Sequence, residues 1–381
     1  MPANRRHFLA SSAALAASAA LRVHASPTQA ERAATQREDP TPAGPKPLDI
    51  LILGGTGFVG PHQVERALER GHRVTIFNRG RREGLFGDRV EELVGDRDSE
   101  VGAGLSALEG DRRWDVVFDN SAYVPRHARD SAELLRDRVG RYVFISTVAA
   151  YNYDAAPLVD GVRVADRTSP THPAPEPATE RVTGQSYGPL KAECERALLA
   201  VLGDRATIVR PCYIVGPGDS SDRFTYWVER LHEGGDVVCP ADPGKVMQWI
   251  DVRDLCAFLV HLSEQDTSGV FNAVGPASTV TNREALWGLR GFASTPTTLH
   301  WPSAELLDEL RFSTPMFARE RVDRRTDGSS AMAAGLAYRS MAETVRETHA
   351  WWLEQSEQRR SRPRGWPSRE LEATVLEKLL E

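Results

Sequence analysis

The chain has 381 residues, 41% of them hydrophobic, enough for one large α/β domain or two smaller ones. A net charge of −6 and a pI near 6.0 lack the basic footprint of a nucleic-acid binder, so no nucleic-acid partner is expected. The cysteines Cys194, Cys212, Cys239 and Cys256 show no paired spacing of a metal site; they read as small buried hydrophobes, and no metal is expected.

Residues 1–25 carry Arg5-Arg6, then an Ala/Leu/Ser run to Leu21, then the small-residue cleavage pattern Val23-His24-Ala25. Paired arginines before a mildly apolar segment too short to span a bilayer resemble a twin-arginine export signal. An amphipathic N-terminal helix is the alternative. The expectation is a periplasmic or secreted protein with no membrane association once the signal is removed. Residues 26–47, rich in Pro, Ala, Thr and charge, read as a flexible linker. Because the twin-arginine route exports folded proteins, a nucleotide cofactor bound in the cytoplasm could travel with the chain.

The first strand is Ile50 to Leu53, continuously apolar as in a strand buried on both faces of a parallel sheet. Gly54, Gly57 and Gly60 follow in G-x-x-G-x-x-G spacing, and a helical pattern then runs to Gly71. The first glycine permits a tight turn, the second lets a pyrophosphate approach the backbone, and the third allows helix–sheet packing. The helix N-terminus that follows offers N–H groups and positive potential suited to an anion, and Phe58 and Val59 lie among the glycines as cofactor candidates. A second strand ends at Phe77. Where an NAD-binding domain usually has an acid for the ribose hydroxyls stand Asn78 and Arg79; an arginine there suits a 2′-phosphate. The cofactor expected is NAD(P), with a lean to NADP, and a solvated basic loop is the alternative.

A third strand, in VEELVGDRD, is expected to end at Asp96 facing the adenine. A fourth, Trp114 to Phe118, runs into Asp119-Asn120-Ser121-Ala122 and would place Asn120 and Ser121 on the nicotinamide side. A fifth, RYVFIST, ends at Ser146-Thr147. This alternation of β and α predicts an α/β fold, a Rossmann-like doubly wound parallel sheet over 48–215. A smaller C-terminal substrate lobe is expected mostly over 216–350, with some elements returning to the sheet, and a helical tail over 351–381.

Tyr187 and Lys191 stand at i and i+4, on one face of a predicted helix, with Pro189 tolerable in its first turn. A phenol with an ordinary pKa of about 10 is a poor base at neutral pH, and a nearby ammonium favours the phenolate. A hydroxyl at the end of the fifth strand can then position a substrate oxygen.

With GGTGFVG, FIST, YGPLK, RPCYIVGPGD (Arg210 to Asp219), IDVRDL (Ile250 to Leu255) and GVFNAVGP (Gly269 to Pro276), residues 48 to 350 resemble the extended short-chain dehydrogenase/reductase superfamily. The resemblance is to its branch of NAD(P)-dependent epimerases and dehydratases. It implies Thr147 as the catalytic hydroxyl, Tyr187 as acid/base and Lys191 as its partner. It also implies a cofactor held by Gly54, Gly57, Phe58, Val59, Gly60, Asn78, Arg79, Asp96, Asn120, Ser121, Tyr187, Lys191 and Pro211.

Two departures narrow the chemistry. Sugar-nucleotide 4,6-dehydratases follow this threonine with an acidic pair, whereas Val148-Ala149 follow Thr147, so that reaction is disfavoured. Epimerases of UDP-sugars carry an arginine just before the strand matching IDVRDL; Met247 stands there instead, with Lys245 as a substitute charge. Ser146, Thr147, Arg223, Trp227 and Gln248 are candidates for the substrate wall, with a core position the equal alternative for Trp227. The long loop between Tyr151 and Tyr187 is expected to cover the site. The tail is expected to pack on the domain or on a second subunit, leaving a homo-oligomer open.

The expectation is an exported NAD(P)-dependent oxidoreductase or epimerase acting on a hydroxyl of a sugar-like, non-nucleotide small molecule. Its cofactor would be held tightly and recycled. A net NAD(P)H-dependent reductase or dehydrogenase is the alternative among enzymes. A non-catalytic dinucleotide- or RNA-binding relative is the alternative from another class; the Tyr/Lys pair and the acidic pI argue against it.

Overall fold

The structure is a computed structural model that describes residues 46–317 and 324–381. The expected export signal and nearly all of the expected linker lie outside the described residues. The rest of the chain, from Pro45 to Glu381, is one compact unit.

Its first half alternates strand and helix: β1 (Asp49–Leu53), α1 (Val59–Glu69), β2 (Arg73–Asn78), β3 (Glu91–Val94), β4 (Trp114–Asp119), α2 (Pro125–Leu135) and β5 (Val139–Ile145). A small hairpin, β6 (Leu158–Val159) and β7 (Val162–Ala165), precedes α3 (Tyr187–Leu202) and β8 (Ala206–Pro211). Next come β9 (Tyr213–Val215), α4 (Arg223–Glu233), β10 (Gly235–Val238), β11 (Val246–Asp251), α5 (Val252–Glu264) and β12 (Gly269–Ala273). The chain ends with β13 (Gly275–Thr281), α6 (Asn282–Arg290), β14 (Thr297–His300), α7 (Ala304–Glu309), β15 (Arg324–Thr326), α8 (Ser329–Ala333), α9 (Met341–Glu354), α10 (Glu357–Arg360) and α11 (Arg369–Leu380).

The central sheet has seven parallel strands in the order β3-β2-β1-β4-β5-β8-β12. This is a doubly wound, Rossmann-like α/β sheet. Side chains alternate across a strand, so β1 feeds both faces. Ile50 and Ile52 join Val64, Ile76, Phe258 and Leu259 beneath α1 and α5. Leu51 and Leu53 join Val117, Phe144 and Leu198 beneath α2 and α3. A strand with apolar residues on both sides is stable only under this double cover. The strand order reverses between β1 and β4, and the carboxyl ends of these two strands open a crevice there.

A second core forms the C-terminal lobe. In it β11 pairs parallel with β9 and antiparallel with β13, and Phe224, Trp227, Leu231, Trp249 and Leu286 are buried together. Residues from two parts of the chain close it. Thr281 with Glu284, and Ser340 with Glu343, make reciprocal capping boxes that fix where α6 and α9 begin. The tail packs on this lobe: Val375 is fully buried, and Glu372 accepts from Arg230 of α4 at 2.9 Å. Among the described residues no helix is long and apolar enough to cross a membrane, and no cluster of three His, Cys, Asp or Glu side chains could hold a metal ion.

Candidate active site

Glycines stand in and just past the β1–α1 loop where a side chain would not fit. Gly54 has φ +92°, and its N–H donates to the Phe77 carbonyl at 2.9 Å. A Cβ on Gly60 would stand 2.3 Å from the Gly55 carbonyl oxygen, and one on Gly55, which the motif reading passed over, 2.6 Å from Ile76. Gly57 differs: a Cβ there would meet nothing within 4 Å. The backbone at Gly57 therefore faces open space, and no side chain caps the start of α1. An uncapped helix N-terminus beside an accessible backbone has the shape and partial charge to receive a phosphate.

A cavity of ≈ 470 Å³ lies at the carboxyl ends of the strands. On the sheet side it is lined by Phe58, Val59, Asn120, Tyr123, Ser146, Thr147, Tyr187, Lys191 and Pro211. The lobe contributes Tyr213, Asp219, Arg223, Lys245, Met247, Gln248, Phe317, Arg324 and Thr326. From the long loop before Tyr187, Tyr153 reaches the lining, its hydroxyl 2.5 Å from that of Thr326.

Lys191 is buried, and its ammonium donates to the carbonyls of Ala122 (3.0 Å) and Ile145 (2.8 Å). It also lies 3.9 Å from the Phe144 ring centroid. Burial lowers its pKa to about 8. Tyr187 is pushed the other way, to about 12, by burial first and the neighbouring Tyr123 second. A hydrogen bond with Thr147 and the charge of Arg223 oppose that rise. The Lys191 ammonium is held by two carbonyls, and Thr147 and Arg223 also favour the Tyr187 phenolate. Thr147 also caps the short turn that follows it, accepting from the Ala149 N–H at 3.1 Å.

Other predicted residues sit differently. The Asn78 side chain is buried and engaged, donating to Glu92 (2.7 Å) and accepting from the Gly80 N–H (2.7 Å), so it shapes the β2 turn. Arg79 is exposed, and Arg82 reaches the glycine loop, donating to the Thr56 carbonyl at 3.1 Å. β3 ends at Val94, and Asp96 organises the next turn by accepting from the Asp98 N–H at 3.0 Å. Asn120 exchanges hydrogen bonds with Gln63 (2.6 and 3.1 Å), which fixes its amide at the cavity edge. The Ser121 hydroxyl donates to the Leu53 carbonyl at 3.3 Å.

On the substrate side, Ser146 lines the cavity, but its hydroxyl donates to the buried Glu195, itself paired with Arg210. Gln248 also lines it, yet its amide both donates to and accepts from the Thr326 backbone at 2.8 Å, tying β11 to β15. Trp227 does not reach the wall. Its ring is buried edge-on against Tyr226 and Phe317, and its N–H donates to the Pro315 carbonyl at 2.7 Å. Arg223 lines the cavity, with its guanidinium 5.1 Å from the Tyr213 ring centroid. Tyr123, which sequence reading missed, is 47% exposed and tilted toward Tyr187 at 6.4 Å. Its place just past β4, beside Asn120, was the available signal.

Among solved structures the fold resembles the Bordetella bronchiseptica enzyme WbmG, determined with NAD and UDP (TM-score 0.59, 20% identity, 82% of this chain and 96% of that one). It also resembles UDP-glucuronic acid 4-epimerase from Bacillus cereus, determined with NAD (TM-score 0.57, 14% identity, 79% and 97%). In sequence, the chain is 25% identical over 309 residues to the epimerase family protein SDR39U1 of Bos taurus, covering 76% of this chain and 95% of that protein. It is 26% identical over 245 residues to the chloroplast stem-loop binding protein of 41 kDa b of Arabidopsis thaliana, covering 59% and 58%. Residues 50–274, more than half of the chain, match the model of one family, and the protein belongs to it: the NAD dependent epimerase/dehydratase family.

Proposed function

We propose that the protein is an NAD(P)-dependent oxidoreductase of the epimerase type, acting on a hydroxyl of a sugar-like, non-nucleotide small molecule. The observation that carries this reading is the cavity that brings Thr147, Tyr187 and Lys191 to the Phe58-Val59 end of the glycine loop. The residues fit a dinucleotide. Gly54, Gly57 and Gly60 with the N-terminus of α1 would hold the pyrophosphate, Lys191 the nicotinamide ribose, and Asn120, Ser121 and Pro211 the nicotinamide side. When bound, the nicotinamide supplies a hydride acceptor and donor. Tyr187 takes the proton from the substrate hydroxyl, Thr147 orients that oxygen, and Arg223 biases the phenol toward its ionised form.

Met247 stands on the cavity wall in place of the arginine that UDP-sugar epimerases carry there, which supports a non-nucleotide substrate, with Lys245 the charge that would serve a diphosphate in the opposite case. Arg223, Lys245 and Arg324 on the same wall favour a polar or acidic sugar. The exposed Arg79 and the loop-bound Arg82 support the lean to NADP. Arg5-Arg6 and the apolar run after them support export to the periplasm or beyond. There the cofactor would stay bound, and each hydride taken would be returned, giving a redox-neutral outcome.

The test begins with protein purified from the periplasm, denatured, and assayed for released nucleotide by mass spectrometry. NAD or NADP near one per chain supports recycling. An empty protein that binds added cofactor weakly would remove the recycling step and leave a net reductase or dehydrogenase. Changing both Arg5 and Arg6 to Lys should hold the protein in the cytoplasm, and unchanged export would refute the signal. The stem-loop binding named for the Arabidopsis relative favours a second reading, as an RNA-binding relative. The net charge of −6 and the Tyr187–Lys191 pair weigh against it. It would be revived by a Tyr187→Phe variant that kept full biological activity.

A further inference from the structure

We propose that the C-terminal tail is a positioning element for the cavity, acting through a clasp on Asp222 that sets Arg223. The inference rests on the reading of this cavity as the substrate site. Asp222 is the residue before α4, and Arg223, the first residue of that helix, lines the cavity. Asp222 is fully buried and has φ +57°, a left-handed conformation uncommon for a residue with a Cβ though less so for aspartate.

The Asp222 backbone N–H donates to the Asp219 carbonyl at 3.4 Å, and its carbonyl accepts from the Tyr226 N–H at 2.9 Å. Both partners of its carboxylate, however, come from the tail. Arg359 pairs with one Asp222 carboxylate oxygen, and the Arg364 N–H donates to the other at 2.8 Å. The Trp366 indole N–H donates to the Asp222 carbonyl at 3.0 Å, and the Arg364 guanidinium to the Ser220 carbonyl at 3.0 Å. Trp366 is itself wedged against Tyr226 and Trp352, each 5.6 Å between ring centroids. At the far end of α4, Arg230 donates to Glu372 at 2.9 Å, and Glu233 pairs with Arg369. The tail therefore grips both ends of the helix whose first side chain faces the cavity. A buried carboxylate needs its cation, so loss of Arg359 leaves Asp222 with an uncompensated charge at the point where Arg223 is set.

The experiment uses the full chain with Arg359→Ala, Arg359→Lys and Asp222→Gly, the last keeping positive φ accessible without the clasp. Hydrogen–deuterium exchange is followed with and without NAD⁺. Arg359→Ala should raise exchange over residues 216–226 about tenfold, leave β11 unchanged, and be largely rescued by Arg359→Lys. Asp222→Gly should mimic Arg359→Ala. D-glucuronic acid, an acidic sugar suited to the cations on this wall, is the binding probe on NAD⁺-loaded protein. Arg359→Ala and Arg223→Ala should each weaken it about tenfold, and the double variant no further. Unchanged exchange over 216–226, a rise spread evenly through the lobe, or additive losses would overturn the proposal. Failure of the functional reading shows separately, as absence of NAD⁺ protection over residues 54–60 in the unaltered protein, and the exchange over 216–226 still decides the clasp.

Discussion

Two alanine substitutions three positions apart, one in the loop and one at the start of α1, should have opposite effects. Gly57 lies outside the left-handed region and has nothing within 4 Å of its virtual Cβ, so alanine fits the folded backbone. By reducing the freedom of the unfolded chain, Gly57→Ala should stabilise the fold by about 0.4–1 kcal/mol. The same methyl would stand in the open space where a pyrophosphate is expected, and dinucleotide affinity should fall at least about tenfold, or about 1.4 kcal/mol. At Gly60 the Cβ would lie 2.3 Å from the Gly55 carbonyl oxygen and 2.7 Å from its Cα, both backbone atoms that cannot swing away. Gly60→Ala should therefore cost about 1–3 kcal/mol or more, the scale of overpacking in a close-packed region. Urea unfolding measures the first quantity, and titration calorimetry with NAD⁺ and NADP⁺ the second. A Gly57→Ala protein that binds cofactor as the unaltered one does would refute the placement of the pyrophosphate. A fully stable Gly60→Ala protein would refute the packing of the loop.

Lys191 links the site to pH. Its pKa in the folded protein is about 8, against an ordinary 10.5, so the unfolded chain keeps the proton to higher pH. Stability should be lowest below about pH 8 and rise as pH climbs toward 10.5, by about 3 kcal/mol at most. Urea unfolding of the unaltered protein and of Lys191→Met should diverge over that window, and parallel curves would contradict the burial argument. Tyr187→Phe should lose about 10²–10⁴-fold in turnover while cofactor affinity holds, and an active variant would remove Tyr187 as the acid/base. Trp227→Ala should destabilise the protein by about 3–5 kcal/mol, as a truncated core aromatic does; a stable variant with altered sugar selectivity would return Trp227 to the wall.

Much of this protein is written locally in its sequence. Ile50 to Leu53 and the glycines after them determine a doubly buried strand, a tight turn and a helix start, because steric and periodic requirements act over a few residues. Tyr187 and Lys191 fall on one helical face for the same reason. Partners that lie far along the chain were decided by the tertiary structure. The aromatics of α4 read equally as wall or core, and Trp227 became core because that face of the helix packs against Phe317 and the Pro315 carbonyl, some ninety positions on. Asn78 looked available for a ribose until Glu92 on the neighbouring strand took its amide. The carbonyls that hold the Lys191 ammonium belong to Ala122 and Ile145, 69 and 46 positions away, beyond the reach of any local pattern. A tail expected to pack on the domain or on a second subunit packs within the chain, with Arg359 and the Arg364 N–H on Asp222. A residue's type and spacing say what it can bind, but burial and long-range hydrogen bonding decide what it does bind, since a buried polar group must take whichever partner folding places beside it.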